Sequence, residues 1–119
     1  KDLLATVGLL RRKNPAIKIV LLTPAASNFA KSQAIWRKKG KRIDLFGQPA
    51  IMKKFRDAVI EAAREKKCIL IDLYKYTESY PVNAELFQPD GVHLSALGNY
   101  FVTLKIMENL AKKDFWKIH

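Results

Sequence analysis

Ile17-Lys18-Ile19-Val20-Leu21-Leu22 and Cys68-Ile69-Leu70-Ile71-Asp72-Leu73 decide the fold of this chain. Each is a short apolar run without the polar alternation of a half-exposed strand. Each is therefore expected to be a strand buried on both faces. Between them, residues 49–66 place Ile51, Met52, Phe55, Val59, Ile60 and Ala63 at helical spacing. Lysines and acids fill the other side, and Pro49 suits a first helical turn. Strand, crossover helix and strand make a βαβ unit, with parallel strands and a right-handed crossover. The expected class is α/β.

Toward the N-terminus, residues 2–13 read as a helix with Leu3, Leu4, Val7 and Leu10 on one face. Arg11, Arg12 and Lys13 in its last turn suit the negative end of the helix dipole, and Asn14-Pro15 stops it. Lys1 opens within this pattern, so part of the domain is expected to precede it. Residues 25–47 show no clean period. They read as a long loop with one helical turn around residues 30–36 and a basic cluster at Arg37, Lys38, Lys39, Lys41 and Arg42. Loops leaving the carboxyl ends of parallel strands gather ligand contacts, so residues 24–29 are expected to line any site.

Toward the C-terminus, residues 74–83 read as a polar, aromatic connection with a short helical turn. A last helix is expected over residues 95–113, with Ser95 as its N-cap. Leu97, Phe101, Leu104, Met107 and Leu110 follow helical spacing, and Val102 and Ile106 widen the stripe. Phe115 and Trp116 in the tail are expected to fold back on the body.

Hydrophobic residues are 49% of the 119, enough for a packed core and too many for a disordered chain. One domain is the natural reading of this length. The single cysteine, Cys68, excludes an internal disulfide framework. It reads as a small buried hydrophobe of a reducing intracellular compartment, with cytoplasm and mitochondrion both open. No apolar run approaches a membrane span. His93 and His119 lie far apart in sequence and Cys68 is solitary, so no metal site is expected.

Net charge is +11 and uneven: residues 1–67 carry 17 Lys/Arg against 5 Asp/Glu, and residues 68–119 carry 5 against 6. A basic half suits an acidic partner, RNA or another anionic surface, met through residues 31–67. A solvated lysine-rich surface explains the same counts.

The chemistry concentrates in Gln88-Pro89-Asp90-Gly91-Val92-His93-Leu94-Ser95-Ala96-Leu97-Gly98-Asn99. Asp90 and His93 sit three residues apart in a turn just ahead of the last helix. Gly91 permits a sharp turn between them. A carboxylate on the imidazole Nδ1–H leaves Nε2 as a base, which is the base half of a nucleophilic hydrolase site.

This block, Asp90-Gly91-Val92-His93-Leu94-Ser95 with Gly98, resembles the last conserved block of the SGNH (GDSL-type) esterases and lipases. Within that family the chain looks most like the isoamyl-acetate-hydrolysing esterase group. The resemblance implies a flavodoxin-like αβα sandwich with its N-terminal strands missing, residues 1–119 being the C-terminal portion of one domain. It implies that Asp90 and His93 complete a Ser-His-Asp triad acting on a carboxylic ester, without a cofactor. The Gly-Asp-Ser and Gly-x-Asn blocks that supply the nucleophile and oxyanion donors have no counterpart among these residues. Ser27, Ser32, Ser79 and Ser95 all lie outside such a setting.

Two strands alone do not make a stable sheet covered on both faces. The first would keep an unpaired apolar edge, so the missing N-terminal half, on the same or another chain, is an expected partner. The alternative function is a catalytically inactive hydrolase fold serving as a structural subunit of a large assembly such as a mitochondrial ribosome. The basic half motivates that reading, and retention of both Asp90 and His93 weighs against it.

Overall fold

A computed structural model describes residues 2–40 and 47–115. Helix α1 spans Asp2–Lys13, strand β1 Val20–Leu22, α2 Phe29–Lys38, α3 Pro49–Glu65, β2 Ile69–Ile71, α4 Leu73–Glu78 and α5 Ala96–Lys112. A 3-10 turn at Asn83–Leu86 joins α4 to the acid–histidine loop. The strands pair in parallel, Val20 opposite Ile69, Leu21 opposite Leu70 and Leu22 opposite Ile71. The βαβ unit expected from the two apolar runs is present.

Side chains alternate across this sheet, so neighbouring residues serve different layers. Leu21 and Leu70 meet Val7 of α1 and Ala62 and Ala63 of α3 on one face. Val20 and Ile71 meet Val102, Ile106 and Leu110 of α5 on the other. Helices thus cover both faces. Each fully buried aliphatic side chain contributes roughly 1.5–3 kcal/mol, so these small clusters hold the layers together. Arg11 ties α1 to the end of α3 by donating to the carbonyls of Lys66 and Lys67. A cation there also suits the negative end of α3.

Three expectations change. Both strands are three residues long rather than six. β2 ends where the Asp72 side chain turns back to accept from the Lys75 amide and cap α4. The expected loop over residues 25–47 contains the ten-residue α2 instead of one turn. Asn28 caps α2 by accepting from the Lys31 amide at 3.0 Å. Phe55, expected on the core face of α3, is exposed, as are Leu97, Leu104 and Met107 of α5 and Leu10 of α1. Phe115 packs against the α5 cluster as expected. Lys41, Arg42, Trp116 and His119 lie outside the described residues.

The carboxyl ends of the strands are tied by a polar network. Thr23, just after β1, is buried, and its hydroxyl donates to Asp72 Oδ1 at 2.9 Å. The same hydroxyl accepts from the Tyr74 amide at 2.9 Å. Arg56 of α3 grips both Asp72 oxygens, at 3.1 Å from Nε and 2.6 Å from Nη2. Burial pushes the Asp72 carboxyl up, but Arg56, Thr23 and the Lys75 amide outweigh it and hold the group below the usual aspartate range.

Thr23→Val keeps the shape but leaves the Tyr74 amide without its acceptor, so it should cost about 1–3 kcal/mol in urea unfolding. The lowered Asp72 carboxyl contributes stability above the ordinary aspartate pKa and loses it as pH falls through its folded value. Asp72→Asn should therefore flatten the acid limb of the stability–pH curve and lower the neutral plateau.

Candidate active site

The acid–histidine loop is a small closed hairpin. Phe87 and Leu94 form an isolated antiparallel bridge, and the Gln88 amide donates to His93 O at 2.8 Å. At its tip Gly91 N donates to Gln88 O at 2.8 Å, with Pro89 at the second position of the turn. Gly91 has φ of 73°, the left-handed region that favours glycine. A Cβ here would strike Asn28 O and lie 2.7 Å from the Ser32 amide nitrogen. The turn is pressed against the start of α2, and Asn28 N donates to Gly91 O at 2.8 Å.

Asp90 divides its two oxygens between structure and chemistry. Oδ1 accepts from the Val92 and His93 amides, each at 2.9 Å. Oδ2 stands 2.5 Å from His93 Nδ1. An ionised carboxylate can only accept, so the proton lies on Nδ1 and Nε2 is the nitrogen with a free lone pair. Burial raises the Asp90 carboxyl. The Val92 amide, the imidazole and the His93 amide overcome that and hold it below the usual aspartate range. The carboxylate, and with it this geometry, persists across neutral pH. The His93 side chain is 75% exposed, so Nε2 is open to a group from outside.

The loop is anchored at both ends. Lys31 of α2 donates to Ala84 O and Phe87 O, both at 2.7 Å. Ser95 caps α5 as expected, accepting from Gly98 N at 3.0 Å, and its hydroxyl donates to Glu85 O at 2.6 Å. Gly98 is buried inside the first turns of α5. A Cβ there would collide with Leu86 O and lie 2.9 Å from the Leu86 carbonyl carbon. Both glycines of the motif are thus places where two backbones meet.

Of residues 24–29, Asn28 touches the loop through its amide on Gly91 O, while Ala26 N donates to Thr77 Oγ1 and Asn28 Nδ2 to Asn83 Oδ1. The serines are engaged elsewhere. Ser27 donates to Gly47 O, Ser79 to Lys75 O, Ser95 caps α5, and Ser32 is buried. Among the described residues no group of three or more His, Cys, Asp or Glu could hold a metal, and no helix is long and apolar enough to cross a membrane. Sequence reasoning missed Lys31 and Arg56. A helical glycine such as Gly98 was the available signal of a close contact, since glycine is otherwise costly in a helix.

No family model matches the chain, and no curated protein matches it. Solved structures do. A lipase/acylhydrolase from Enterococcus faecalis superposes with a TM-score of 0.65 at 19% identity, over 93% of this chain and 51% of its own. A second solved structure gives a TM-score of 0.65 at 20% identity, over 92% of this chain and 50% of its own. The likeness is one of fold, that of a lipase/acylhydrolase. The chain spans about half the length of the solved structures it matches. The expected α/β class with a parallel sheet is present, and the half-length likeness fits the expected part of a larger hydrolase domain.

Gly98→Ala gains up to about 1 kcal/mol of helix propensity. The steric cost at Leu86 should outweigh it and leave a net loss of about 1–3 kcal/mol in thermal or urea unfolding. Gly91→Ala should lose a similar amount, from the left-handed backbone and from α2 together.

Proposed function

We propose that this chain contributes the Asp-His part of a Ser-His-Asp carboxylic ester hydrolase of the SGNH type. The observation that carries the reading is the 2.5 Å contact between Asp90 Oδ2 and His93 Nδ1 beneath an exposed imidazole. In this reading His93 Nε2 takes the proton of a serine hydroxyl as its oxygen attacks the ester carbonyl. The imidazolium formed is stabilised by Asp90, and its proton passes to the departing alkoxide, which leaves as the alcohol. Water then repeats the sequence on the acyl-enzyme and releases the acid. The serine and the oxyanion donors come from outside these residues, in keeping with the half-length match to a lipase/acylhydrolase.

The resemblance to the isoamyl-acetate-hydrolysing group favours small esters of simple alcohols as substrates. The cysteine usage favours a reducing intracellular setting.

The test is hydrolysis of p-nitrophenyl acetate by the protein in its full natural length. General acid–base catalysis is worth about 10²–10⁴-fold, so His93→Ala should lower kcat by that order. Asp90→Asn should lower it as well, with KM little changed. Equal rates for the native protein and His93→Ala would remove the enzymatic reading.

A further inference from the structure

Three helix ends meet at the pole of the molecule opposite the acid–histidine loop. Arg11, at the end of α1, donates to the carbonyls of Lys66 and Lys67 at the end of α3. Lys18, just ahead of β1, donates from Nζ to Phe115 O at 2.8 Å and so brings the end of α5 to the same place. Both strands start there, with Ile69 N donating to Ile19 O at 3.0 Å. His93 lies beyond the other end of α5, whose 17 residues span about 25 Å.

This pole holds most of the excess positive charge. Residues 11–18, 61–67 and 112–115 carry nine Lys/Arg against three Asp/Glu, whereas all the other described residues carry nine against seven. Every helix end contributes exposed cations: Arg12 and Lys13, Arg64 and Lys67, Lys112 and Lys113. The acids are Glu61, which pairs with Arg64, Glu65 and Asp114. One cation at each helix end answers the helix dipole, an effect of about 0.3–1 kcal/mol confined to the last turn. Two or more at each end exceed that need and repel one another across the pole. The three segments are far apart in sequence, so only the fold makes them one patch. Of residues 31–67, expected to meet an acidic partner, only residues 61–67 take part.

Two exposed leucines border the patch. Leu9 and Leu10, near the end of α1, are 49% and 40% exposed. Residues three and four apart on a helix are neighbours, so Leu9 lies beside Arg12 and Lys13, and Leu10 beside Lys13. A nucleic-acid backbone gains from the cations and nothing from the leucines. An anionic bilayer uses both, with cations among its headgroups and aliphatic side chains at the acyl boundary.

We propose that this pole is a docking surface for an anionic phospholipid membrane. The basic side chains at the ends of α1, α3 and α5 meet the lipid phosphates and carboxylates, and Leu9 and Leu10 enter the interface. Each cation near such a surface adds to the attraction, so several cations on one pole set the orientation as well as the affinity. His93 then faces the water, about the length of α5 from the bilayer, and stays open to a dissolved ligand. The surface is independent of the hydrolase reading, and its readout is binding rather than turnover.

The test is flotation of the protein in its full natural length with two kinds of vesicle, phosphatidylcholine alone and phosphatidylcholine with phosphatidylserine. Binding should require phosphatidylserine and weaken at least about tenfold from low to high salt. Lys13→Gln/Lys67→Gln/Lys112→Gln, one exposed lysine from each helix end, should weaken it on the order of 100-fold. Lys38→Gln/Lys53→Gln/Lys54→Gln removes the same charge elsewhere and should change it less than about threefold. Leu9→Ser/Leu10→Ser should weaken it about tenfold with the salt dependence kept. All eight positions are exposed, so the far-ultraviolet circular dichroism should stay that of the native protein. Equal binding to both kinds of vesicle, or to neither, overturns the proposal. Equal losses in the two lysine variants reduce the attraction to net charge and overturn it as well. If the helix-end lysine variant weakens binding to a duplex RNA but not to the vesicles, the patch belongs to nucleic acid and the membrane is excluded.

Discussion

The acid–histidine loop depends on two backbones being able to touch. Gly98 lets the first turn of α5 settle on the Leu86 carbonyl, and Gly91 lets the loop tip settle on the first turn of α2. Any side chain at either place would hold the elements apart. With both contacts made, the loop has no freedom to drift: Ser95 binds Glu85 and Gly98, and Lys31 binds the carbonyls on either side of Leu86. The position of His93 follows from that clamping, since Asp90 fixes the imidazole to the same turn that the glycines fix to the body.

A second polar cluster does for the sheet what this one does for the loop. Thr23, Asp72 and Arg56 join the end of β1, the end of β2 and the crossover helix in one set of charge-assisted bonds. With only three residues in each strand, the ladder alone supplies little. Arg56 is the planar, bidentate partner such a carboxylate needs, and its guanidinium also lies 5.5 Å from the centre of the Tyr74 ring. Tyr74 packs with Ala26 and Met52, which connects the cluster to the residues preceding α2. From Ala26 the chain of contacts continues through Thr77 and Asn83 to Asn28, beside Gly91. The sheet end and the loop are therefore one polar structure.

What could be read from the sequence was what is local. α1, α3 and α5 carry long periodic patterns with charged or capping residues at their ends, and they were found within about a residue. The Asp90–His93 pair was legible because three residues across a glycine turn leave the side chains little choice. α2 was not legible as a full helix, because it buries only Ser32 and draws its support from tertiary bonds of Asn28 and Lys31. The face of α5 was ambiguous for a different reason. Apolar residues surround most of that helix, so spacing alone does not tell Val102 and Leu110, which are buried, from Leu104 and Met107, which are not. Arg56 and Asp72 meet only through the crossover, and no local pattern announces such a pair.

In the proposed reading the two ends of a hydrolytic site are built by different parts of a fold, and the loop geometry gives a physical reason. A base and its orienting acid must be held relative to each other to a fraction of an ångström, and here one carboxylate does so within four residues. That geometry draws on α2, α5 and the 3-10 turn, all within the chain. In the proposed hydrolase a nucleophile would also have to be held relative to Nε2, and nothing in the loop's own bonds sets that distance. The local constraint is complete in itself: among the described residues an exposed, fully oriented histidine occurs together with a sheet of only two strands.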